Sequence, residues 1–212
     1  MKLLKYLFLL LIAVSTLQAY TITTFAGSVY NTNTAVMDAT LGIDDGFTVE
    51  DFEDSTLIEG LNVTFTDGRT TPNLSTASYY WDGSQHLQNY TNGPWVGVTF
   101  SFDESVSVFA VGTSYFDTGN GTDYIYLNGS STPLTNLQAH SGFVTGSTRN
   151  LYIIIEAGAG ETIESVYFPS SNSGSDRINF DHLAVKAAVP EPSSLFLLLT
   201  FGIISLFGIY KK

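Results

Sequence analysis

The chain has no cysteine in its 212 residues. That removes disulfides, thiolate metal ligands, a cysteine nucleophile and lipoprotein attachment together, so an exported form must hold its core by burial alone or with help from a metal. Basic residues are scarce as well. Lysine and arginine number 8 against 20 aspartates and glutamates, a formal net charge of −12. Half of the basic residues sit near the chain's ends, so Tyr20 to Ala188 carries 19 acidic residues against Arg69, Arg149, Arg177 and Lys186. Such a body repels nucleic acid and anionic lipid, and suits bound divalent cations or plain solubility. Charged residues are only 13% of the chain, and Thr, Ser, Asn and Gly fill the polar positions. The 12 Tyr and 15 Phe nevertheless supply enough apolar surface to exclude disorder for the body as a whole.

Catalytic signatures are missing too. There is no Gly-x-Ser-x-Gly elbow and no phosphate-cradling glycine loop, which disfavours nucleophilic catalysis. His86, His140 and His182 are scattered without ligand spacing and read as surface or strand residues. No stretch of the body carries a helical period.

What is present begins at the ends. Met1 to Ala19 has Lys2 and Lys5, an unbroken apolar run from Tyr6 to Val14, then small and polar residues, the layout of a secretory signal peptide. Ala19, or the Ala13-x-Ser15 pair, offers the small residues for cleavage. At the other end, Ser193 to Tyr210 is an uncharged run of 18 residues followed by Lys211 and Lys212. As a helix it would be about 27 Å long, enough to span a hydrocarbon core, with the lysines on the cytoplasmic side.

Between the ends, period-2 alternation recurs. In "WVGVTFSF", Val96, Val98, Phe100 and Phe102 share one face, as half-buried strands require. Asp103-Glu104-Ser105 is expected to turn the chain into a second strand, "VSVFAVG". Similar runs start at Tyr20, Phe47, Leu61, Asp123, Leu151, Thr162 and Arg177, separated by Asp67-Gly68, Asp82-Gly83, Asn92-Gly93-Pro94, Asn120-Gly121 and Asn128-Gly129. Eight to ten short strands in one domain predict an all-β fold, an antiparallel β-sandwich of jelly-roll type, over residues 20–187.

Three stretches invite chemistry. Glu50, Asp51, Glu53 and Asp54 offer carboxylates, but period 2 sends Glu50 and Asp51 to opposite faces, so a solvated strand edge or a metal site is expected rather than a catalytic pair. "DTGNGTD", Asp117 to Asp123, lacks the ligand pattern of an EF-hand and reads as a glycine-rich hairpin. Tyr79, Tyr80, Trp81, Tyr90 and Trp95 surround Asp82, Gln85, Asn89 and Asn92. Aromatic faces beside amides are what sugar rings need, and Tyr80, Trp81 and Trp95 are the candidate glycan contacts; the alternative is that these rings fill the core. Five Asn-x-Ser/Thr sequons, at Asn62, Asn73, Asn89, Asn120 and Asn128, mark surface.

Val189-Pro190-Glu191-Pro192, a serine pair, an apolar run and a terminal basic pair, in that order, resemble the PEP-CTERM sorting signal of Gram-negative bacteria. The resemblance implies recognition by an exosortase, an inner-membrane protease, cleavage near Pro190, Glu191 and Pro192, and delivery to the cell surface or matrix. Residues 188–212 would then be the sorting signal, with a transmembrane helix over 193–210. The prolines hold extended backbone, the form a protease cleft binds. The body, through "FEDSTLIEGLNVTF", "YWDGSQHLQNYTNGPWVGVTFSFDESVSVFAVG" and "RINFDHLAV", resembles galactose-binding-like and carbohydrate-binding-module jelly rolls. That resemblance implies a structural calcium shared by Glu53 and Asp181. The expectation from all this is a non-enzymatic, exported surface or exopolysaccharide-matrix protein, structural or adhesive, with weak glycan binding. The alternatives are a secreted polysaccharide-acting enzyme and an uncleaved single-span membrane protein.

Overall fold

The computed structural model describes residues 20–26, 38–39, 42–44, 46–76, 83–90, 96–114, 124–136, 151–170 and 178–188. They form β1 (Tyr20–Ala26), β2 (Thr48–Glu50), β3 (Leu61–Phe65), β4 (Leu74–Ser75), β5 (His86–Gln88), β6 (Val98–Ser114), β7 (Tyr124–Leu127), β8 (Thr135–Asn136), β9 (Leu151–Ala157), β10 (Ile163–Phe168) and β11 (Asn179–Ala187). Every pairing among them is antiparallel. The architecture is that of an all-β protein, consistent with a sandwich. Among the described residues no helix is long and apolar enough to cross a membrane. The expected signal peptide over 1–19, the helix over 193–210 and Pro190, Glu191 and Pro192 lie outside the described residues.

The layout depends on β6. Its first half, Val98 to Phe102, lies between β3 and β10. Its second half, Val106 to Ser114, lies between β11 and β9. All eleven strands are hydrogen-bonded into one sheet, which β6 divides into two wings: a first sheet, β3-β6-β10-β7-β8, and a second, β4-β5-β11-β6-β9-β1 with β2 also on β11.

The turn expected at Asp103-Glu104-Ser105 is therefore a correction: the chain stays extended through it. The reason is a change of phase. Before the bend the even positions Val98 and Phe100 are buried in the core, and after it the odd positions Phe109 and Val111 are. The ladders to β10 and β11 both slip register around Val106. An inserted residue reverses which face points inward and bends the strand, so a corner in one strand imitates two strands in the alternation pattern.

Four phenylalanines close the core. Phe100 lies 5.7 Å from Phe109, 6.0 Å from Phe168 and 5.1 Å from Phe180, mostly edge-on, and Phe168 and Phe180 are 5.0 Å apart. They come from β6, β10 and β11, so the core knits both sheets. Outside the second sheet a smaller apolar group, Ala110, Tyr152, Ile154 and Ala184, packs with Phe25, Ile43, Phe47 and Val49. Lys186 tethers that cover, lying 5.1 Å above the Phe47 ring and 3.6 Å from Asp44.

The short β4, β5 and β8 escape the alternation reading because two or three residues display no period. Of the expected turns, Asn128 (φ 52°) and Gly129 (φ 68°) both take positive φ beneath a 2.9 Å bond from Ser130 N–H to Leu127 carbonyl, as a type I′ turn demands.

Candidate functional site

The second sheet carries polar side chains where a sandwich strand would place either core or solvent-facing groups. Leu87 of β5 lies opposite Phe180 of β11, and both are fully buried in the core. Alternation then turns His86, Gln88, Asn179 and Asp181 to the other face, joined by Ser114 opposite Asn179. All five are buried, none more than 7% exposed. Burial without hydrogen bonds would be costly, and the row is bonded within itself. Gln88 Nε2 is 3.0 Å from His86 Nε2, and Asn179 Nδ2 donates to Ser114 Oγ at 3.1 Å.

Asn89 fastens this row to its flanks. Its N–H donates to the Ile178 carbonyl at 3.1 Å, while its Oδ1 accepts from Ile178 N–H at 2.9 Å. The side chain thereby continues the β5–β11 ladder past the end of β5. The Asn89 carbonyl accepts from Val96 N–H at 3.2 Å, and Asn73 Nδ2 donates to the Tyr90 carbonyl. Both ends of β5 thus continue directly into the aromatic-rich segments. Tyr79, Tyr80, Trp81 and Trp95 themselves lie outside the described residues.

Glu53 governs the entry to β5. Its carboxylate accepts from Ser84 N–H at 2.5 Å, Ser84 Oγ at 2.7 Å and Gln85 N–H at 2.7 Å, and Gln85 Nε2 donates to its carbonyl. Gly83 has φ 55°, and a Cβ there would run into the Glu53 carboxylate, so glycine suits the position on both counts. A calcium ion on Glu53 would have to displace these donors; the geometry fits a turn clamp. Asp181, the other expected ligand, is buried and accepts from His182 N–H at 2.8 Å. Among the described residues no group of three or more His, Asp or Glu side chains could hold a metal.

The rest of the acidic cluster is structural. Asp51 and Asp54 are exposed and accept from the N–H two residues on, Glu53 at 3.1 Å and Thr56 at 2.6 Å, as in Asx turns. Glu50 is buried and accepts from Phe52 and Ile58 N–H, both at 2.8 Å. Phe52 is thereby held at φ 54° with its ring in the core. Burial pushes the Glu50 carboxyl above its usual range, with Asp51 and Asp54 adding to the effect, against the two N–H bonds.

His86 and His182, expected at the surface or in strands, are buried strand residues; His140 lies outside the described residues. His182 sits in a register shift of β11 with φ 45°. Its Nε2 is 2.7 Å from Asp38 Oδ1, and its carbonyl accepts from Tyr152 OH at 2.9 Å. Burial, then the charges of Asp38 and Asp181, holds the Tyr152 hydroxyl well above its usual pKa, so it stays a donor. This relay and the Gln88–Asn179–Ser114 row were missed in the sequence, because polar residues on alternate positions look like a solvated face. Chemically, the row offers amide, hydroxyl and imidazole groups beside the Asp181 carboxylate, all of them buried.

No protein-family model matches the chain, and no curated protein matches it. Among solved structures it is similar to the catalytic domain of a GH87 alpha-1,3-glucanase in complex with tetrasaccharides, at 12% identity and TM-score 0.37 over 69% of this chain and 29% of that one. The GH87 alpha-1,3-glucanase catalytic unit from Streptomyces thermodiastaticus matches at 18% identity and TM-score 0.34, over 71% of this chain and 28% of that one. A CBM35 from Paenibacillus barcinonensis matches at 16% identity and TM-score 0.28, over 66% of this chain and 99% of that one. The chain spans under a third of the length of the two glucanase chains.

Proposed function

We propose that this chain is an exported, non-enzymatic surface or extracellular-matrix protein whose β-sandwich, of jelly-roll type, makes weak contacts with neutral polysaccharide. What supports the glycan part is the sequence that flanks β5, the aromatic segments bearing Tyr80, Trp81 and Trp95 beside Gln85 and Asn92; the buried row of Gln88, Asn179 and Ser114 is bonded within itself and holds β5 in place. Amides and hydroxyls match sugar hydroxyls, and indole faces match the CH faces of the ring. The body's negative charge sets the class of ligand: neutral glycans, or acidic ones bridged by a divalent cation.

Export and sorting rest on the sequence. The signal-peptide layout, the Pro190-Glu191-Pro192 motif, the apolar run and the two lysines support an inner-membrane intermediate, recognition by an exosortase-type protease and release to the surface or matrix of a Gram-negative cell. Mass spectrometry of the mature protein should find its C-terminus between Pro190 and Ser194; intact Lys212 in surface material would sink the sorting reading.

Glycan contact is tested by affinity electrophoresis through neutral polysaccharide, comparing the wild type with Trp81→Ala and Trp95→Ala. Retardation of the wild type, and its loss in a variant that melts normally, is expected. An unretarded wild type would leave a passive matrix component.

A further inference from the structure

Both exits of the chain lie on one edge of the second sheet. Tyr20, at the start of β1, stands opposite Ala157 of β9. The neighbouring Glu156 stands opposite Val108 of β6, and Val108 opposite Lys186 of β11. Ala188 follows at once and donates its N–H to the Ser105 carbonyl at 3.2 Å. Ser107 Oγ adds bonds to the carbonyls of Lys186 and Ala187 at 3.2 and 3.1 Å, fastening the end of β11 to the corner of β6. Three strand spacings, about 14 Å, therefore separate the two exits. The chain leaves this edge towards two apolar runs, Tyr6 to Val14 and Ser193 to Tyr210.

We infer that this edge is the face the domain turns to the lipid bilayer while it is tethered, and that the polar row is held at the opposite end. The inference rests on the proposed membrane-spanning role of 193–210. Only Val189 to Pro192 lie between Ala188 and that run, and four extended residues reach no more than about 14 Å. The nine residues of β11 carry the chain about 26 Å from Asn179 to Ala187. So short a leash keeps the corner at Ser105 beside the headgroups and places the Asn179 end of β11 outward, away from the bilayer.

Charge opposes adsorption of this face to the bilayer, so the short leash alone holds it there. A cleft of about 540 Å³ opens at this corner, floored by Ile58, Leu61, Phe102 and Val106 and bordered by Glu59, Asp103 and Glu104. Those three carboxylates are exposed and repel anionic phospholipid.

The absence of cysteine makes the test direct. Ser105→Cys and Glu161→Cys each place a single label at the near edge, Glu161 lying on the turn after β9. Thr71→Cys labels the far end, two residues before Asn73, whose carbonyl accepts from Gln88 N–H at 2.8 Å. The full chain carrying a fluorophore at each site is reconstituted into phosphatidylethanolamine–phosphatidylglycerol vesicles, part of whose headgroups bear a nitroxide quencher. Quenching at both near sites should exceed that at Thr71 at least about twofold, because the span of β11 exceeds contact range. Equal quenching, or stronger quenching at Thr71, in chain that resists carbonate extraction overturns the orientation and leaves the tether standing. Chain that carbonate strips from the vesicles overturns the tether, and the orientation with it.

Discussion

Replacing Glu53 separates a hydrogen-bonded clamp from a metal ligand. Glu53→Ala removes the acceptor of three bonds, from Ser84 N–H, Ser84 Oγ and Gln85 N–H. Bonds to a charged group contribute about 1.5–3 kcal/mol each when buried. Glu53 is only half-buried, and the freed donors can reach water, so the expected total loss is about 2–3 kcal/mol. For a domain of this size that lowers Tm by roughly 4–12 °C. Glu53→Gln keeps one carbonyl acceptor and turns its amide towards Ser84 Oγ, which can accept, so about 1 kcal/mol should be lost. Thermal melts of the full chain, in calcium and in chelator, are the assay. The wild type should melt identically in both, with the order wild type, Gln, Ala. A wild type several degrees more stable in calcium, with Gln as damaging as Ala, would refute the clamp and restore the ion shared with Asp181.

Glu50 gives the domain a pH signature. Its folded pKa is raised above the ordinary value of 4.5, so the folded state binds the proton more tightly than the unfolded one. Its contribution grows as pH falls through the raised pKa and levels off below the ordinary value; Glu50→Gln should abolish that segment of a Tm-against-pH profile, and an unchanged profile would remove Glu50 as its source. Phe100→Ala empties the centre of the four-ring cluster and should cost about 3–5 kcal/mol in denaturant unfolding, against markedly less for the partly exposed Phe102→Ala. Gly83→Ala drives a Cβ onto Glu53 and should lower Tm comparably to Glu53→Ala, with little further loss in the double variant because both break one clamp.

Composition and period were enough to read the class of the fold. Long alternating runs such as Leu61 to Phe65 and Leu151 to Ala157 carry their own strand signal, because burial of one face needs only local order of residue types. The signal-peptide and anchor layouts expected at the ends are linear patterns as well, and they lie outside the described residues. Tertiary structure decided what depends on partners distant in sequence. The corner in β6 exists because β3 and β10 claim one half of the strand and β11 and β9 the other, and no local pattern distinguishes that from a turn. Glu53 reads as a solvated or metal-binding carboxylate until the turn at Gly83 folds back onto it from 31 residues away. Gln88, Asn179 and Ser114 carry no signal in the sequence; they become a row only when β5, β11 and β6 come side by side. Their burial and mutual bonding belong to the sheet, because a side chain's neighbours across a ladder are set by register, and register is fixed only when the strands meet.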